Sequence, residues 1–244
     1  MAPGESVDTL IDEGDEALEA GEYERALQSF EQALEGDPDH WGAALGRIEC
    51  LEMLWRTDEA LRAVRALRPT AEAEEEDDPE RVDLEARILE ALGEFEEADR
   101  LFAMAHELAK QDGSRGHEFP LPVRTTEGDF RAILDKVLES LPEVIRAAVV
   151  QVPVLVEAKP SRAIAERAPN VTPEVLGLFV GTTVGEKVYA PSGYPNVVLL
   201  FQRNLERAGR SRSEVSKEIK ITLLHEYGHY LGFDEEELEH LGLG

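Results

Sequence analysis

A multi-domain fold is predicted for this 244-residue chain: an all-α helical repeat over residues 1–113, a lead-in at 114–126, and a small α/β (α+β) domain at 127–244. Three observations predict it. The pattern around Ala26 returns at Ala60, 34 residues on, and again at Ala98, a further 38 on; a fixed period of this size is the mark of stacked helical units. The charge is uneven, with 33 Asp/Glu against 10 Lys/Arg in residues 1–114 and 19 against 15 in residues 115–244. Beyond the break, short apolar β-rich runs sit between segments of helical periodicity, as a small mixed domain requires.

In the first half, the stretch 17–34 holds Gly21, Tyr23, Ala26, Phe30 and Ala33 and is followed by Asp37-Pro38, with Gly14 one turn upstream. Small residues let paired helices approach and larger ones fill the layer between them, while about three units are needed before stacking is stable. This segment resembles the tetratricopeptide repeat, so helix pairs with a partner-binding groove are what the resemblance implies. Thr57-Asp58-Glu59-Ala60-Leu61 and Leu92-Gly93-Glu94-Phe95-Glu96-Glu97-Ala98 are the further copies, the second with Val64 where an aromatic is expected. The four extra residues before the third copy coincide with the acidic run 72–78, read as an exposed loop.

Gln111-Asp112-Gly113-Ser114-Arg115-Gly116 is polar and glycine-containing, which places a domain boundary near 113–118; Pro120 and Pro122 stiffen the lead-in that follows. From 127 to 140, Phe130, Ile133, Leu134, Val137 and Leu138 lie on one helical face. The runs 147–157, 175–180 and 196–202 are β-rich and suit a small sheet. The segment 181–194, with three glycines and Pro191, reads as a mobile flap.

The chemistry concentrates near the end. Ser211 followed by Glu214 fits a capping box, Val215, Ile219, Leu223, Leu224, Tyr227 and Leu231 recur at helical spacing, and Gly232 stops the pattern, so a helix is expected over 212–231. Two residues of this helix, His225 and His229, are four apart and share one face, within reach of one small cation. Glu226 points to an adjacent side, close enough to take a proton from a metal-activated water. Gly228 costs roughly 1 kcal/mol in a helix interior, which suggests that another backbone or a metal site crowds it. A third ligand is usual for catalytic zinc. Glu235, three residues beyond Gly232, is its expected source, with Asp234 as substitute or as a partner behind it. The acidic run 234–237 also suits the first turn of a short terminal helix, and His240 reads as a solvated residue of that helix. Tyr194 is a candidate donor to a developing oxyanion, with Tyr189 beside it; each also suits a loop aromatic packed on the sheet.

From residue 130 to the end, the chain resembles the small bacterial family of minimal zincin-like metallopeptidases. The motif is T-x-x-H-E-x-x-H-x-x-G-x-[DE], here Thr222 to Glu235, with weaker matches around 130–142, 149–156, 176–181 and 195–201. The resemblance implies a compact α/β fold with the metal helix near its C-terminus and peptidase activity.

The formal charge of −27 opposes nucleic-acid and anionic-membrane binding. No apolar run approaches the length of a membrane span, the start has no basic and apolar signal, and a single cysteine, Cys50, fits a reducing compartment, so the cytoplasm is expected. The expected function is a zinc-dependent peptidase acting on a peptide or protein substrate, its Zn2+ held by His225, His229 and Glu235, its general base Glu226, its repeats recruiting a protein partner. One rival is a tetratricopeptide adaptor whose metal site is structural or vestigial. Another is a metal-dependent RNA endonuclease, a family that also spaces two histidines by four but has histidine at the Glu235 position and no glutamate at that of Glu226.

Overall fold

The computed structural model describes residues 6–67, 78–111, 119–166, 168, 171–183 and 196–240. They fall into two compact units, Met1–Pro120 and Leu121–Gly244.

Among its described residues the first unit forms three helix pairs: α1 (Val7–Glu19) with α2 (Tyr23–Gly36), α3 (Trp41–Met53) with α4 (Thr57–Ala66), and α5 (Pro79–Ala91) with α6 (Phe95–Gln111). Each pair turns through a residue in the left-handed region, Gly21 at φ 72°, Trp55 at 59° and Gly93 at 85°. The hydrogen bonds repeat too: the residue after each turn donates to the carbonyl five back, Glu22 to Ala17, Arg56 to Leu51 and Glu94 to Leu89. These are Schellman ends. The second copy therefore keeps the turn while placing a bulky residue where glycine is unstrained. Phe30 is the keystone of the first layer, because a Cβ on Gly14 or Gly46 would lie 2.7 or 2.5 Å from its ring. At the start of α5, Asp78 accepts from the N–H groups of Glu80 and Arg81, with Pro79 at the first helical position. The rest of the acidic run, 72–77, lies outside the described residues.

The second unit runs α7 (Glu127–Ser140), α8 (Glu143–Gln151), β1 (Val154–Glu157), α9 (Arg162–Ala165), β2 (Gly177–Val180), β3 (Val197–Phe201), α10 (Gln202–Ala208), α11 (Arg212–Leu231) and α12 (Glu235–His240). The sheet order is β1-β3-β2, with β1 parallel and β2 antiparallel to the central β3. Phe130, Leu134 and Val137 of α7, Val198 and Leu200 of β3, and Val215, Ile219, Leu223 and Tyr227 of α11 form one core. Two expectations need correction. The run 147–157 is not one strand: 147–151 finish α8, whose Ile145 and Ala148 turn inward three residues apart while Val150 stays 86% exposed, and only Val154 onward pairs with β3. Gln202, expected at the end of a strand, instead opens α10.

The lead-in at 121–126 belongs to this second unit. Glu206, buried on α10, accepts from the N–H of Thr125 at 3.0 Å, the hydroxyl of Thr125 at 2.6 Å and the amide of Gln202 at 2.8 Å, and its own carbonyl accepts from the N–H of Val123. A second cluster lies at the approach to β2: Lys159 donates to Asn204 at 2.6 Å, and Asn204 donates to the carbonyls of Pro173 and Val175. Of the expected flap, 184–194 lie outside the described residues. At its base the Asn196 side chain both accepts from and donates to the backbone of Thr182.

Candidate metal centre

The site is built on α11. Ser211 accepts from the N–H of Glu214 at 3.2 Å, and the Glu214 carboxylate reaches back to the N–H of Arg210 at 2.8 Å, one residue before the position expected for a capping box. Gly232 closes the other end at φ 100°. The helix is held from several sides: Val215, Ile219, Leu223 and Tyr227 are fully buried, and the Tyr227 hydroxyl donates to the carbonyl of Val152 at 2.6 Å. Burial alone pushes the Tyr227 phenol above its ordinary range, so it remains a donor at any physiological pH.

On this frame, one turn brings two imidazoles together. The Nε2 atoms of His225 and His229 lie 2.9 Å apart, with the rings edge to face at 88°. His229 Nδ1 lies 3.3 Å from the carbonyl of Phe233; with its proton there, Nε2 carries a lone pair. Two nitrogen lone pairs facing each other at this distance need a proton or a cation between them. Their separation is less than twice a Zn–N bond of ~2.0–2.1 Å, so one ion reaches both. His229 is 9% exposed and Glu226 7%, with His225 half-buried. The Glu226 carboxylate does not point into bulk water: its Oε2 accepts from the main-chain N–H of Phe179 in β2 at 2.6 Å.

The other expected residues divide. Asp234 stands just before α12, its carboxylate accepting from the N–H of Glu237 at 3.1 Å while its own N–H donates to the Glu237 carboxylate at 2.9 Å. Glu235 follows it as the first residue of α12, but its side chain, like Tyr194 and Tyr189, lies outside the described residues. His240 is exposed at the end of that helix. Among the described residues no group of three or more His, Cys, Asp or Glu converges as a metal site.

Residues 149–244 match the family model for a zincin-like metallopeptidase, and 17–76 and 86–116 match models of the tetratricopeptide repeat. The chain carries a zincin-like metallopeptidase domain behind tetratricopeptide repeats. No curated protein matches the chain. Among the described residues, no helix is long and apolar enough to cross a membrane.

Two contacts of the zincin-like domain were not anticipated. Gly228 lies against Leu238 of α12: a Cβ there would fall 2.5 Å from Leu238 Cδ2. Gly177 marks a second close approach, because a Cβ on it would meet Thr222 Cγ2 at 2.4 Å, Leu199 O at 3.1 Å and Glu226 Cγ at 3.3 Å. A glycine inside a strand pattern was the available signal.

Proposed function

We propose that the second unit is a zinc-dependent peptidase and that the repeats recruit its protein partner or substrate. The observation that carries this is the Nε2 pair at 2.9 Å with the Glu226 carboxylate on the next residue of the same helix. His225 and His229 would hold the ion, and Glu235 is proposed as the third ligand from its place three residues past Gly232. When bound, zinc supplies Lewis acidity and brings the pKa of its water to about 7. Glu226 then does the proton work. It accepts the proton of the attacking water and passes it to the leaving amine nitrogen, a transfer worth about 10²–10⁴-fold when a base is well placed. A buried, hydrogen-bonded carboxylate suits this task because its position is fixed before substrate arrives.

An extended peptide suits the neighbouring strand. Among the described residues β2 pairs with β3 alone, and a strand beside a metal helix can hold an extended peptide through main-chain hydrogen bonds. The net charge of −27 argues against an RNA substrate, and a cytoplasmic setting belongs to this same reading. The test is Glu226→Gln: zinc content should match the wild type while peptide hydrolysis falls by 10² or more. Unchanged turnover removes Glu226 from the mechanism.

A further inference from the structure

Glu226 is the group whose placement asks most of the rest of the domain, and β2 sets that placement. In the β2–β3 ladder, Leu176 is bonded to Phe201 through the Phe201 N–H, and Phe179 stands opposite Val198. Since hydrogen-bonded and non-bonded pairs alternate in an antiparallel ladder, Leu178 and Val180 face β3 while Phe179 turns its N–H outward from it. Val198 agrees, sending its own N–H to Pro153 on the β1 side. The outward N–H of Phe179 is the one that meets Glu226 Oε2. β2 can come this close to α11 because residue 177 has no side chain: its absent Cβ would fall 2.4 Å from the Thr222 methyl, one turn before Glu226.

We propose that the Phe179 main-chain N–H is a positioning donor for the Glu226 carboxylate, and that Gly177 against Thr222 is the spacer that sets its reach. The Phe179 side chain supports this from behind, 3% exposed and 5.7 Å centroid to centroid from Tyr230, on the helical turn after Glu226. A carboxylate bonded to a main-chain N–H of β2 is tied to the sheet as well as to its own helix. The catalytic part of this inference rests on the peptidase reading; the geometric part does not.

The geometric part is tested by amide hydrogen exchange on the full chain without metal. Phe179, although it faces away from β3, should exchange as slowly as its ladder neighbours Leu178 and Val180. Glu226→Ala should speed exchange at Phe179 tenfold or more while leaving Leu178 and Val180 unchanged. A Phe179 amide that is unprotected in the wild type, or unmoved by Glu226→Ala, overturns the proposal. The spacer is tested by Gly177→Ala, which should lower kcat about tenfold with KM nearly unchanged and loosen the Phe179 amide. Adding Thr222→Ser, which deletes the opposing methyl, should restore most of both. A rise in KM at constant kcat, or no rescue by Thr222→Ser, overturns the spacer role. Absence of turnover by the zinc-loaded wild type would defeat the peptidase reading, and exchange at Phe179 would still decide the geometric claim.

Discussion

Replacing Arg87 by methionine in the repeat unit should be among the most damaging single changes in the chain. Glu52 on α3 is fully buried, and its carboxylate lies 3.1 Å from Arg87 Nη2 on α5; Glu49 takes both Nη atoms at 3.1 Å, and Asp83 stands 3.9 Å from Nε. Burial works against the Arg87 charge, yet the carboxylates of Glu52, Glu49 and Asp83 outweigh it and hold the guanidinium pKa above its ordinary value. At this separation and an effective dielectric near 20, one such pair is worth about 5 kcal/mol of Coulomb energy. The desolvation of both ions cancels much of that in the intact pair, but taking away one partner leaves a buried charge, at about 3–5 kcal/mol. Glu49 and Asp83 reach solvent and add little to the loss. Both tryptophans, Trp41 and Trp55, belong to this unit, so urea unfolding followed by tryptophan fluorescence reports on it selectively. Arg87→Met should lower its stability by about 3–5 kcal/mol. Arg87→Met with Glu52→Met should come back to within about 1 kcal/mol of wild type, because two apolar groups of similar volume replace the pair. A single-variant loss under about 1 kcal/mol, or no recovery in the double variant, would refute the argument.

Gly93→Ala should cost about 1–2 kcal/mol in the same assay, since φ is 85° and nothing lies within 4 Å of the new Cβ, so backbone strain acts alone. Cys50 should resist thiol reagents until the unit unfolds, because burial first and Glu49 second push its thiol from 9.0 up to about 12. The folded state holds that proton more tightly, so the stabilisation is intact below pH 9.0 and disappears as pH climbs to about 12. Cys50→Ala should flatten that part of the stability profile measured by urea unfolding.

How much of this could be read from the residues depended on whether the cause was local. α11 was legible at both ends because Ser211, Glu214 and Gly232 are local signals, and the four-residue spacing of His225 and His229 sets their common face before any tertiary contact forms. The repeat was legible from its period, yet not the left-handed turn at Trp55, since no composition rule puts a tryptophan at positive φ. The misreading of 147–157 has a specific origin: Val149, Val150 and Val152 are β-branched, and only the packing of Ile145 and Ala148 shows that helical spacing governs as far as Gln151. The tie between Glu226 and Phe179 joins residues 47 apart. Its cause is the missing side chain at Gly177, and a lone glycine in a strand announces a close approach without saying to what.

The central claim is that one turn of α11 binds a divalent cation through two imidazoles, and calorimetric titration of the chelator-stripped protein with zinc tests it most directly. The account predicts one zinc per chain, retained in Glu226→Gln and lost in both His225→Ala and His229→Ala. Zinc binding that survives His229→Ala unchanged, or no zinc binding by the folded wild type, would contradict it.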